Sequence, residues 1–374
     1  MNYYIIPTKH MNVEIKLKFS DKPENYVSDS FMRNIGQLIC QLDEFSLYYK
    51  SIASEKTLNT IYKINDVYSS IYDIMSPDIL SYMPKHSFVE LNNCFFVIIE
   101  IYNTFDFVYS SINTFTPNIV YIGNNVSTFE SSIQYIHRSP PGLDTIGMFS
   151  STLDKAYNDL HTNTTPLPEL HSENGFIFFD TDYRENNIKN SINYTICLLK
   201  TLYIAMTTSK TCIIKVWEIT LKPIIDIIYM LSGIYKNVYI CKPTTTQHEN
   251  DRYIICKGMS SFYKTIETKT KLKNKISSMI AHITNTCISK EKHLISVCIR
   301  SVIENDISQH FINKIEESTL IVGQKNIEYY ENLIIMFKLH GKEDKIDMAM
   351  KSSIMKCAQW CSKNSIPIKS AYTV

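Results

Sequence analysis

Gly175-Phe-Ile-Phe-Phe-Asp180, Thr211-Cys-Ile-Ile-Lys215-Val-Trp217, Val238-Tyr-Ile-Cys241 and Tyr253-Ile-Ile-Cys256 are short apolar runs inside one stretch, Gly175 to Gly258, and their rhythm decides the fold. Each is rich in β-branched or aromatic residues and reads as a buried strand. Between the first two, Ile188, Ile192, Ile196, Leu199 and Tyr203 recur at helical spacing, which predicts a helix from Ile188 to Met206. Pro223 opens a second helix to about Tyr235, with Ile224, Ile227, Ile228, Leu231 and Ile234 facing inward and Gly233 as a breaker near its end. Strands alternating with helices imply parallel strands covered on both faces. The last two runs, joined by Lys242 to Arg252, imply a hairpin whose second strand returns antiparallel.

Ligands in such sheets bind beyond the carboxyl ends of the strands. Asp180 and Lys215 close their strands on that rim, and the returning strand starts just after Asp251, so these ionisable groups are expected to converge despite their separation in sequence. Upstream, Leu91 to Ser110 is a helix with Phe95, Ile98, Ile99, Tyr102 and Phe105 on one broad face. Asn118 to Gly123 is the first parallel strand, and Asn124 to Thr128 opens a helix through Phe129, Ile133 and Ile136. Thr145 to Phe149 is the candidate second strand, followed by Ser150, Ser151 and Thr152, and Asn158 to Ser172 reads as a loop.

Asp180, Lys215 with its preceding isoleucines, Lys242-Pro243-Thr-Thr-Thr246 and an acidic residue two places before Tyr253-Ile-Ile255 form an ordered set. It resembles the FtsJ-like family of S-adenosylmethionine-dependent ribose 2′-O-methyltransferases, and more narrowly the FtsJ-like proteins of large cytoplasmic DNA viruses, including the African swine fever virus type. The resemblance covers about Leu91 to Gly258. It implies an α/β fold: a Rossmann-like methyltransferase core with a closing antiparallel strand, flanked by helical N- and C-terminal extensions at 1–85 and 261–374. It further implies Asp180, Lys215 and Asp251 as catalytic residues, and S-adenosylmethionine held by Gly123, Asn124, Asn125, Ser150 and Asp180. RNA, including capped mRNA, is the implied substrate, in the host cytoplasm or virion, with viral protein partners docking on the C-terminal helices. No metal is implied.

The chain also departs from that family. Its helix before the first strand supplies a lysine to the site, yet Val97 occupies the matching position and the nearest upstream lysine is Lys85. The family's Pro-Gly-Gly type loop is replaced by Val126, Ser127 and Thr128, leaving Gly123 alone. With one lysine gone, Lys215 is expected to be held more firmly protonated by its acidic neighbours. A methyltransferase fold retained without activity, as a binding or structural subunit of a viral RNA-processing complex or virion, is therefore the alternative.

Each residue also has a plainer reading. Asp180 could be a turn or cap residue, with Asp182, Asn186 and Asn187 close by. Lys215 could form only a structural ion pair with Asp180 or Glu218, and Glu249 competes with Asp251 as its partner.

A length of 374 residues suggests more than one compact core, and a formal net charge of +1 offers no global attraction to nucleic acid. Any RNA grip must be local. Lys264, Lys269, Lys271, Lys273 and Lys275 form the densest basic run, although a solvated helix face is the commoner meaning of such a pattern. Ten cysteines lack any Cys-x-x-Cys pair and read as reduced core residues. No apolar run is long enough to span a membrane, so a soluble cytoplasmic protein is expected. Met11 to Phe19 reads as a strand; Asp29 to Lys50, Glu55 to Met75, Ile276 to Ile288, Leu294 to Ile307 and Ile327 to Leu339 read as helices.

Overall fold

The structure is a computed structural model and describes residues 2–8, 14–22, 24, 29–52, 55–82, 92–105, 119–137, 148–162, 176–180, 188–208, 211–217, 219–246, 249, 251–264, 266–288, 298–339 and 342–372. Its strands are β1 (Asn2–Ile6), β2 (Ile15–Ser20), β3 (Ile119–Gly123), β4 (Met148–Ser151), β5 (Phe176–Asp180), β6 (Thr211–Val216), β7 (Tyr235–Lys242), β8 (Arg252–Met259) and β9 (Cys298–Ile303). Seven of them form one mixed sheet in the order β1-β7-β8-β6-β5-β3-β4, and β2 pairs with β9 separately. The β4, β3, β5 and β6 strands run parallel; β8 lies between β6 and β7, antiparallel to both. The chain is thus α/β and compatible with a Rossmann-like fold.

Period-two alternation sorts the strand residues between two cores. Val120, Ile122, Ile177, Phe179, Cys212 and Ile214 face one side, while Ile119, Tyr121, Phe176, Phe178 and Ile213 face the other. The helices are α1 (Asp29–Ile52), α2 (Glu55–Asn65), α3 (Ile71–Ile74), α4 (Asn93–Thr104), α5 (Val126–His137), α6 (Leu153–Thr162), α7 (Ile188–Thr208), α8 (Lys222–Ile234), α9 (Ile266–Ile283), α10 (Gln309–Lys338) and α11 (Glu343–Lys363). The first core is covered by α6, α7, α8 and α9, the second by α4 and α5. Leu221 gives α8 an uncapped start, but Pro223 at its first turn needs no amide partner there.

The segments outside the Leu91 to Gly258 stretch are woven into this body. Ile6 of β1 is buried in the first core, and β1 pairs along β7 from Asn2–Lys242 to Ile6–Val238. Nothing in the composition of Asn2 to Ile6 announces that partner. In α11, Cys357, Trp360 and Cys361 pack with Phe95 and Phe96 of α4, and Phe337 of α10 packs with Leu58 and Ile61 of α2.

Two expected elements differ. The helix read over Leu294 to Ile307 is in its described part the strand β9, because Cys298-Ile-Arg-Ser-Val-Ile303 finds a pairing edge in β2 and a packing face in α8. The loop read from Asn158 begins later, since α6 continues to Thr162 over buried Ala156 and Tyr157. The helix expected to reach about Tyr235 does so: α8 runs to Ile234, one residue past Gly233, and passes directly into β7. Among the described residues, no helix is long and apolar enough to cross a membrane.

Candidate functional site

Lys215 sits on the carboxyl end of β6 with the same facing as Ile213, so its side chain rises on the α4/α5 side of the sheet. Asp180 has that facing at the end of β5, after Phe176 and Phe178, and Asp251 immediately precedes the start of β8. Parallel β5 and β6 and the reversed β8 thereby deliver all three to one rim. Lys215 Nζ lies 3.3 Å from Asp180 Oδ1 and 3.3 Å from Asp251 Oδ2. The three residues are 8%, 3% and 5% exposed, so this is a largely desolvated cation held between two carboxylates. Glu249 is not the carboxylate found against Lys215, while Glu218 and Asp182 lie outside the described residues.

Asp180 is held from both sides. Tyr121 donates its hydroxyl hydrogen to Asp180 Oδ2 at 2.8 Å, and Asn125 Nδ2 donates to the same oxygen at 3.0 Å. The Asn125 amide in turn donates to the Tyr121 hydroxyl oxygen at 2.9 Å. Burial pushes the Tyr121 phenol well up and the Asp180 charge adds to it, so the hydroxyl remains a donor. Asp180 Oδ1 accepts no hydrogen bond of good geometry, but it faces the Lys215 ammonium. Tyr121 was not singled out from the sequence. Its signal was its position two residues before Gly123, on the strand face shared with Asp180.

Gly123 pairs with Asp180 across β3 and β5. A Cβ there would stand 2.7 Å from the Asp180 backbone oxygen and 2.8 Å from the Tyr121 hydroxyl, so the glycine is required by close approach. Asn124 follows, exposed in the turn. Val126 turns toward the second core, and buried Thr128 accepts a hydrogen bond from Asn92 Nδ2 at 3.2 Å, which joins the start of α5 to the start of α4. Ser150 is exposed in β4, two strands away from Asp180, and is not part of the ion network.

The helix expected to supply a second lysine is α4, and Val97, the position matched to that lysine, carries no ammonium. Val97 is buried in the second core. Cys94, one turn earlier, senses the network: burial pushes its thiol well up, the Asp180 carboxylate adds to this, and Lys215 opposes it. Lys85 lies outside the described residues.

No family model and no curated protein matches this chain.

Lys242 was read as motif and proves to be a scaffold. Its Nζ donates to the backbone oxygens of Glu249 at 2.6 Å and Asp251 at 2.7 Å, clamping the β7–β8 connection that presents Asp251. The side chain is buried, and that burial, opposed by Asp251 and Glu249 and assisted by Arg252, lowers its pKa to about 7. A neutral amine has two N–H donors, enough for both carbonyls. Two residues further on, the Thr244 amide and hydroxyl donate to Glu100 of α4, at 2.9 Å and 2.5 Å, fixing the end of β7 against that helix. Among the described residues, no cluster of His, Cys, Asp or Glu could hold a metal ion.

Proposed function

We propose that the chain is an RNA ribose 2′-O-methyltransferase using S-adenosylmethionine, with capped mRNA as a substrate and the host cytoplasm or virion as its setting. The observation that carries this reading is Lys215 between Asp180 and Asp251 at the carboxyl rim of a sheet closed by an inserted antiparallel strand. The bound donor would supply a methyl group on a positively charged sulfur. The chain's own residues must then hold a ribose oxygen in line with that carbon and deal with its proton. Lys215, paired with two carboxylates, donates a hydrogen bond to the hydroxyl oxygen and fixes its direction, while the hydroxyl's own proton leaves to solvent water as the oxygen is methylated. Asp180 orients Lys215, since its Oδ2 is already taken by Tyr121 and Asn125. Asp251 balances the second side of the ammonium. Asn124 and Ser150 are exposed on the same rim and suit contact with the polar parts of the donor.

A second reading rests on Val97. A buried apolar side chain stands where the family supplies its second lysine, and Val126, Ser127 and Thr128 replace its glycine-rich turn, which favours a fold kept for binding rather than turnover. Methyl incorporation into capped RNA separates the two, compared among the unmodified protein, Lys215→Ala and Lys271→Ala, with folding checked by circular dichroism. The enzyme reading expects loss of incorporation in Lys215→Ala with nearly unchanged donor affinity by calorimetry, and expects Lys271→Ala to weaken RNA binding in a salt-dependent way while sparing turnover at saturating RNA. Unchanged incorporation in Lys215→Ala would refute its catalytic role. No incorporation by the folded, unmodified protein across RNA substrates, together with no donor binding, selects the binding subunit.

A further inference from the structure

A cavity of about 580 Å³ opens between α4, the turn at Val67–Ser70 and α11. Tyr68, Glu100, Thr244, Lys356, Trp360 and Lys363 are among its lining residues. Its volume lies within the range of small-molecule sites, ~300–1,000 Å³. Lys356 and Lys363 are exposed and lie two turns apart on α11, on one side of the helix, and among the described residues neither has an ion-pair partner. The Glu100 carboxylate is the opposing charge, but both its oxygens already accept from Thr244. Two ammonium groups against one carboxylate leave the opening with a net positive charge.

Aromatic surface lines the interior. The rings of Tyr68 and Trp360 meet edge to face at 6.2 Å. Trp360 is 6% exposed, so only a small part of its indole borders the cavity. The Tyr68 phenol is pushed up by burial and by Glu100 and so stays a neutral donor. Rings for a flat heterocycle, a phenol O–H for its acceptors, and two ammonium groups for a phosphate describe one chemical class.

We propose that this cavity binds 5′-phosphorylated nucleotides, with the phosphate at Lys356 and Lys363 and the base against Tyr68 and Trp360. The site stands whether or not Lys215 supports methyl transfer.

The chain has two tryptophans, so Trp217→Phe leaves Trp360 as the sole indole reporter. In that background, titration with uridine 5′-monophosphate is expected to change Trp360 fluorescence saturably with a Kd at or below about 1 mM. Uridine lacking the phosphate, and inorganic phosphate lacking the nucleoside, are each expected to bind about tenfold or more weakly. Lys356→Glu with Lys363→Glu, both exposed and therefore compatible with folding, is expected to weaken nucleotide binding by about tenfold or more. The proposal is overturned by no saturable change up to about 10 mM nucleotide, by uridine or phosphate binding as tightly as the nucleotide, or by unchanged affinity in the charge-reversed variant. Lys215→Ala should leave this titration intact, so failure of the methyl-transfer reading and failure of this one are read separately.

Discussion

At Gly123 a single hydrogen atom separates the first turn from the Asp180 backbone. Gly123→Ala forces a Cβ within 2.7 Å of a carbonyl oxygen in a packed sheet, so it should cost about 1–3 kcal/mol in urea unfolding and shift the Tyr121–Asp180 contact. An unchanged midpoint would mean that the two strands can part there without penalty. Lys242 predicts a pH dependence. Its folded pKa, about 7, lies below the ordinary lysine value of 10.5, so between those values the unfolded chain binds more protons than the folded one. Stability from this group is therefore lowest below pH 7 and rises with pH through that window, by at most about 1.4 kcal/mol per pH unit. Lys242→Met should be less stable overall, because two carbonyls lose their donor, yet its stability profile from pH 7 to 10 should be flatter than that of the unmodified protein. Equal slopes in the two proteins would contradict the assignment.

Among the elements, α8 and β9 are joined by a buried carboxylate. Asp226 accepts from Ser301 Oγ at 2.6 Å, from the Val302 amide at 2.9 Å and from Lys222 Nζ at 3.2 Å. Asp226→Ala strands two buried donors, so we expect a loss of about 2–4 kcal/mol and faster hydrogen exchange at Val302, measurable residue by residue. Slow exchange retained at Val302 would show that β9 is held without this contact. The same junction shows where sequence reading stops. The strands ending in Asp180 and Lys215 were legible because long apolar runs with one terminal charge have few other meanings. Their convergence followed from the alternation of elements. By contrast, Leu294 to Ile307 satisfies helical spacing and strand composition together, and only the edge of β2 decides between them. Glu100 and Trp360 carry no local signal, since their roles depend on α11 arriving from far along the chain.

On the scale of the whole molecule, β1 covers an edge that would otherwise be open. It lies beyond β7, with Ile6 in the core and Thr8 Oγ1 donating to the Lys236 carbonyl at 3.0 Å. Removing residues 2–8 uncovers the backbone of β7, and exposed strand edges recruit other chains. The truncated protein should melt lower and show concentration-dependent light scattering at temperatures where the full chain stays monodisperse. A truncated protein with unchanged melting and scattering would make β1 an ornament.

That arrangement also has a consequence during synthesis. The ribosome makes β1 before the rest of its sheet, yet the strand it pairs with, Tyr235–Lys242, emerges only after most of the core has been translated. At ~5–20 residues per second the interval is on the order of ten to fifty seconds. Throughout that time the nascent chain carries an unpaired Tyr-Tyr-Ile-Ile segment, and β6 has no neighbour on its outer side until β8 slots in after β7. The strands nearest the ion network are thus the last of the central sheet to close, and a polysome translating this message would expose many copies of the same sticky segment side by side.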